Sequence, residues 1–114
     1  MDQADKLNRY RGIIQQVIEG HAQMPAIPET VEGVAICDTN HDRYLLMDVG
    51  WMPEGRAHDV VVHLRLRNGK VIVEWDGIES GIARDLIDAG IDPQDIIYAE
   101  REHTTKDFAE SVAA

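Results

Sequence analysis

Residues 43–76 read RYLLMDVGWMPEGRAHDVVVHLRLRNGKVIVEWD, and this stretch decides the fold. It contains two turn signals, Met52-Pro53-Glu54-Gly55 and the Asn68-Gly69 pair, and the second is typical of a two-residue hairpin turn. A third turn signal, Thr39-Asn40-His41-Asp42, comes just before it. The runs between these turns are rich in valine, leucine and isoleucine, as strands are. The three turns therefore predict a four-stranded antiparallel meander.

Each turn also predicts which residues face each other across two strands, because side chains alternate between the two faces of a sheet. The predicted pairs are Val34 with Met47, Ile36 with Leu45, Leu45 with Val62, Met47 with Val60, Val49 with His58, Val62 with Trp75, Leu64 with Val73, and Leu66 with Val71. All three hairpins place their apolar members on the same face. We therefore expect that face to form the core.

The second face of the predicted sheet is not uniformly polar. It carries Tyr44, Leu46, Val61 and Ile72 beside Asp48, Asp59, His63, Arg65 and Glu74. A face that contacts water normally alternates to polar residues. The four apolar residues therefore predict an interaction surface, with His63, Arg65 and Glu74 at its rim. His63 is expected to face Glu74 as a polar pair across two strands. A helix, the chain's own tail or another subunit would cover it, and scattered surface hydrophobic residues are the alternative.

Helical spacing of apolar residues over Asp5–Ala22 predicts a helix before the sheet. Prolines in the segment 24–28 end it, since proline lacks the amide that a helix requires. After the sheet, Asp76 and Glu79 have the spacing of a capping box and predict the start of a second, shorter helix.

Gly90 predicts the end of that second helix, because glycine readily adopts the positive φ of a helix C-terminus. Asp92-Pro93 indicates another short helical turn, and Ile96–Ala99 a short C-terminal strand. The whole is an α+β fold: N-terminal helix, four-stranded antiparallel meander, second shorter helix and short strand. Its 114 residues match one domain, 1–114.

The charge balance bears on possible partners. The chain has 21 acidic and 11 basic residues and a net charge of −10, so DNA phosphates are repelled at long range. Direct DNA binding through Arg65, Arg67 and Lys70 is a weak alternative, and a basic protein is a better partner. No apolar run approaches the roughly 20 residues of a membrane span. No secretory leader is recognised at the N-terminus.

Known catalytic, cofactor and metal motifs are not found in the sequence. Residues 38–42 resemble the start of a calcium-binding loop, but Arg43 replaces its glycine and Val49 its final glutamate. Cys37 has no predicted neighbour that would activate its thiol. We therefore expect no catalytic residues, no cofactor and no bound metal.

Several segments together resemble one known family, the XisI-like family, named for the controlling factor in excision of the fdxN element. The segments are Lys6–Leu7, Tyr10–Arg11, Ile13–Gln16, Asp42–Leu46, Val49–Trp51, Arg56–His58, Val62–Leu64, Asn68–Val71, Asp76–Glu79, Gly81–Ala83, Leu86–Ile91 and Asp95–Ile96. The resemblance covers about Asp5 to Ala99, and the polar tail 100–114 departs from it.

The resemblance implies a small cytoplasmic protein typical of cyanobacteria, which acts with a site-specific recombinase and an XisH-like protein of endonuclease-like fold. It also implies a regulator of DNA recombination rather than an enzyme. The leading hypothesis is therefore a non-enzymatic accessory factor that binds an XisH-like partner. The alternatives are a homodimeric interaction domain that uses the same sheet face, and a metal-dependent nuclease subunit.

Overall fold

A computed structural model describes residues 3–25 and 28–101 and has the predicted α+β architecture. The elements are α1 (Gln3–Ala22), β1 (Val31–Asp38), β2 (Arg43–Met52), β3 (Gly55–Arg67), β4 (Lys70–Asp76), α2 (Ile82–Ala89), a 3-10 turn (Pro93–Asp95), β5 (Ile96–Tyr98) and a second 3-10 turn (Ala99–Arg101). Residues 26–27 of the proline-containing segment 24–28 and the tail from 102 onward lie outside the described residues.

The strands form one sheet in the order β1-β2-β3-β4-β5. The antiparallel meander of β1 to β4 is confirmed. The short fifth strand pairs with β4 in parallel, with Val71 opposite Ile96. A parallel partner requires a crossover connection, and here the connection contains α2. The sheet is therefore mixed, with β1 and β5 at its two edges.

A β-bulge interrupts the pairing of β2 with β3. Met47 lies opposite Val60 as predicted, but Leu46 lies opposite Val62, so Val61 is an extra residue in β3. The predicted pair of Leu45 with Val62 is wrong. One extra residue shifts the alternation by one position. The alternate residues of β3 that face the core before the bulge are therefore odd-numbered, and those that face it after the bulge are even-numbered.

A second irregularity follows in β4. Leu64 lies opposite Val73 as predicted, whereas His63 lies opposite Trp75, so Glu74 is the extra residue. Two predictions are therefore wrong: Val62 does not face Trp75, and His63 does not face Glu74.

Helices α1 and α2 pack on one face of the sheet, which we call the inner face. The buried residues of this core are Tyr10, Ile14, Ile18, Tyr44, Leu46, Val62, Leu64, Leu66, Val71, Val73, Ile82, Leu86 and Ile91. The prediction of a single apolar face is wrong in one respect. The apolar residues that were predicted to form the core in β1, in β2 and in β3 before the bulge lie on the opposite face, whereas those of the second half of β3 (Val62, Leu64, Leu66) and Val71 and Val73 of β4 face the helices.

The second helix begins later than predicted. Asp76 is the last residue of β4, and the residue before the first turn of α2 is Gly81, with no side-chain cap. The Asp76 carboxylate instead accepts hydrogen bonds from the amides of Ile78 (3.1 Å) and Ile82 (3.0 Å). The predicted end at Gly90 is confirmed, with a positive φ.

A buried carboxylate joins α1, β4 and the 3-10 turn. Asp95 is 6% exposed and accepts a 2.5 Å hydrogen bond from the Tyr10 hydroxyl. Its two oxygens also pair with the ammonium groups of Lys6 and Lys70, each at 2.9 Å. These bonds hold the pKa of Asp95 well below its usual range, although burial alone would raise it.

Candidate protein-binding face

The face of the sheet opposite the helices, which we call the outer face, is rich in large apolar residues. Strand alternation and the two bulges place these residues on it: Val34, Ile36, Leu45, Met47, Val49, Trp51, Val60, Ile72 and Trp75. Four of them are exposed: Trp51 by 61%, Trp75 by 57%, Ile36 by 44% and Val60 by 39%.

The outer face is unusual because its apolar residues are contiguous. Both described helices contribute to the core on the inner face, and no described element packs over the outer face. In the described part of the chain, the other large hydrophobic residues that are exposed are Met24 and Ile87. Monomeric proteins seldom expose large contiguous apolar patches, and such patches mark interaction sites.

Arginines of β2 and β3 lie beside these apolar residues, although the chain as a whole is acidic and Glu32 of β1 is on the same face. Arg43 lies opposite Arg65 on neighbouring strands. The Arg56 guanidinium lies 5.5 Å from the ring centre of Trp51 and donates to the Gly50 carbonyl at 2.8 Å. Tryptophan and arginine are the residues most enriched in the energetic centres of protein interfaces. These arginines therefore suit an apolar partner surface with acidic groups at its edge, whereas the net charge favours a basic protein, and that expectation stays a prediction.

His63 lies on the outer face beside Trp75. Its Nε2 atom is buried and has no hydrogen-bond partner among the described residues. Burial, with the nearby Arg43 charge, lowers the pKa of this imidazole. The neutral ring is therefore compatible with an apolar contact surface.

The predicted interaction residues divide between the two faces. Tyr44 (0% exposed) and Leu46 (5%) are in the core, so the prediction that they form the centre of an accessible surface is wrong. The Tyr44 hydroxyl donates to Asp42 (2.8 Å), which also pairs with Arg11 of α1 (2.8 Å). This contact shows that Tyr44 points toward the helix.

The other predicted interaction residues lie on or near the outer face. Ile72, His63 and Arg65 are on it, and all three are half-buried. Val61 is the bulged residue and packs partly against the core, while Glu74 is the extra residue of β4. Their contact with a partner stays a prediction.

Sequence reasoning missed the most exposed residues of this surface: Ile36, Trp51, Val60 and Trp75. Unbroken alternation from the turns places Ile36, Val60 and Trp75 in the core instead. A signal was present, since Val60-Val61-Val62 is a run of three apolar residues that alternation cannot place on one face.

The predicted turn at 39–42 is stabilised by the carboxylate of Asp38, the last residue of β1. Asp38 accepts hydrogen bonds from the amides of Asn40 (3.0 Å) and His41 (3.1 Å). Among the described residues, no group of three or more His, Cys, Asp or Glu side chains has the arrangement of a metal site. None of the described helices is both long and apolar enough to cross a membrane.

Comparisons with known proteins agree on one family. The model of the family described as XisI protein matches residues 4–112. The fdxN element excision controlling factor XisI from Anabaena variabilis is 31% identical, with a TM-score of 0.68 over 89% of this chain and 96% of that one. A XisI-like protein from the same organism is 25% identical, with a TM-score of 0.72 over 80% and 84%. None of the curated proteins compared with the chain matches it.

Proposed function

The chain belongs to the XisI family, and we propose that it acts as a controlling factor in the excision of an fdxN-type DNA element. In this proposal it is a non-enzymatic cytoplasmic protein that binds an XisH-like partner through the outer face. The related Anabaena protein is described as such a controlling factor. The proposed mode of action is supported by the exposed apolar outer face with its two tryptophans.

The composition of the face favours a protein over a nucleic acid. Proteins that bind single strands on a sheet stack bases on aromatic rings. Here the middle of the outer face, which lies between Trp51 and Trp75, is aliphatic, and Met47 lies opposite Val60 in it. Aliphatic side chains offer little to a base but pack well against apolar residues of a protein. The net charge of −10 also opposes phosphate binding.

A matched pair of substitutions tests the face. Val60 on the outer face and Ile87 on α2 are almost equally exposed, at 39% and 40%. We expect Val60→Asp to weaken binding of the XisH-like protein by roughly 30-fold or more, because an interface would bury an unpaired carboxylate. We expect Ile87→Asp to leave binding unchanged, as measured by calorimetry with the purified proteins.

The proposal would be contradicted if wild type and Val60→Asp bound the XisH-like protein equally well. It would also be contradicted if Ile87→Asp abolished the complex and Val60→Asp did not. A gel-shift titration with the element's DNA, and a cleavage assay with magnesium, separate the alternatives. Salt-sensitive DNA binding by the chain alone would favour a nucleic-acid role, and DNA cleavage by the chain alone would favour a nuclease.

The two tryptophans give an independent readout, because the chain has only two and both lie on the outer face. We expect their fluorescence in the free protein to be strongly quenched by acrylamide. Addition of the XisH-like protein, with its tryptophans replaced by phenylalanine, is expected to shift the emission to shorter wavelength and to protect it from acrylamide. An unchanged spectrum in the presence of a complex would place the contact elsewhere.

A further inference from the structure

The two edges of the sheet differ in how they are protected from pairing with another strand. β5 has only three residues and is followed directly by a 3-10 turn. β1 has eight residues, Val31–Asp38, and within residues 3–25 and 28–101 it pairs on one side only, with β2. A short edge strand is a common protection against edge-to-edge pairing, whereas a long regular one is a template for it.

The backbone groups that β1 presents at this edge can be identified. The Trp51 amide donates to the Thr30 carbonyl at 3.1 Å, so Thr30 faces β2. Since the direction of backbone groups alternates, the amides and carbonyls of Gly33, Ala35 and Cys37 point away from β2. Among the described residues no backbone partner is seen for these three on that side.

The sequence of β1 lacks most devices that block such an edge. VEGVAICD contains no lysine and no proline, and its pairing with β2 has no bulge. Its outward-facing alternate residues include Val34 and Ile36, and Ile36 is 44% exposed. Charges occur only at Glu32 and Asp38, close to its two ends.

We infer that β1 is a dimerisation edge, where it pairs antiparallel with β1 of a second copy around a two-fold axis at Val34. The identical strand is a matching partner because antiparallel pairing about a two-fold axis is self-complementary. In this register Gly33 of one copy exchanges hydrogen bonds with Ala35 of the other. Val34 meets Val34 of the second copy at the axis.

Charge and the number of paired residues favour this register over the two neighbouring ones. With the axis at Val34, Glu32 lies opposite Ile36 of the second copy, and Asp38 lies beyond the paired residues. A shift of the axis to Ala35 would place Glu32 directly opposite Asp38, and like charges in that position are destabilising. A shift to Gly33 would leave Ile36 and Cys37 without partners.

The dimer would join two five-stranded sheets into one of ten strands. The two outer faces would then form a continuous surface across Val34 and Ile36, with two equivalent binding regions for a partner. This inference goes beyond the proposed function, because it depends on the edge of the sheet and holds whatever the outer face binds.

The first test is the mass of the protein in solution at micromolar concentration. We expect light scattering to give twice the 12.8 kDa of one chain. Ala35→Pro removes an amide that faces the edge rather than β2, so the fold tolerates it. It is expected to raise the dimer dissociation constant by roughly tenfold or more.

Val34→Lys is also expected to raise the dimer dissociation constant, because it places two like charges at the axis. Ile87→Lys on α2 is the matched control and should remain dimeric, with circular dichroism reporting that each variant is folded. A monomeric wild type, or a dimer unaffected by both edge variants, would overturn the inference.

The second test is a cross-link that depends on the register. Opposing residues that do not exchange hydrogen bonds have Cα atoms roughly 4.5 Å apart, which suits a disulfide. In a Cys37→Ser background, Val34→Cys is expected to form a disulfide-linked dimer under mild oxidation. Glu32→Cys, which would face Ile36, is expected not to. A cross-link at 32 and none at 34 would overturn the pairing.

Discussion

Replacement of Asp95 by asparagine is expected to lower the free energy of unfolding by about 3 kcal/mol, because the carboxylate is a buried hub for three donors. The Tyr10 hydroxyl and the Lys6 and Lys70 ammonium groups all bind this one side chain. An amide keeps the shape but removes the charge and places an N–H beside one of the donors. For a chain of this size the loss corresponds to about 10 °C in Tm.

The matched control is Asp88→Asn, which changes an exposed aspartate on α2. It should alter stability by no more than about 0.5 kcal/mol. Tyr10→Phe removes one of the three donors and is expected to cost about 1–2 kcal/mol. In combination with Asp95→Asn it should cost less than the sum of the two changes, since both remove the same hydrogen bond. Additive losses in urea unfolding would contradict a shared network.

The same network predicts how stability depends on pH. The pKa of Asp95 is depressed in the folded state by its three donors. The stability that it contributes is therefore complete above the pKa of an unfolded aspartate, about 3.9. It is lost as the pH falls below that value and the native carboxylate becomes protonated. Between pH 5 and pH 3, the urea midpoint of Asp95→Asn should thus fall less than that of wild type. The loss that remains comes from other carboxylates such as Asp42, whose pKa is also lowered, by its hydrogen bond from Arg11.

The elements of this fold were predictable because local residues specify them. Asn68-Gly69 requires a tight turn, and Asn68 indeed has a positive φ. Gly90 ends α2 as expected, and the Asp92 side chain accepts from the Gln94 amide at 2.9 Å to start the 3-10 turn. Each of these signals acts within a few residues, so the sequence alone contains the cause.

The face of the sheet that is exposed was not predictable in the same way. Each predicted pair depends on its distance from the turn, so a single extra residue in a strand reverses the face of every residue beyond it. Val61 and Glu74 are such residues. A bulge at Val61 lets Val62 and Leu64 meet α1 and α2 while Val60 stays outside. That choice is made by packing against helices distant in sequence, which no turn signal encodes.

Gly50→Ala is expected to be as damaging as the change at Asp95, with a loss of at least about 3 kcal/mol. Gly50 has a φ of +152°, which L side chains rarely adopt, and it lies opposite Val31 at the start of β1. A Cβ atom there would collide with the Thr30 carbonyl oxygen and lie 2.8 Å from the Val31 Cα atom. Both are backbone atoms, so β1 itself would have to move.

Gly55→Ala separates the two causes of this loss. Gly55 has a φ of +139°, but a Cβ atom there would meet nothing within 4 Å. It should therefore cost only the conformational strain, about 1–2 kcal/mol. The difference between the two variants in urea unfolding then measures how tightly the start of β1 is held against β2. If they were equally destabilised, strain alone would account for both. If Gly50→Ala is worse, as expected, the close approach of the Gly50 backbone to Thr30 and Val31 is what keeps the edge strand in place.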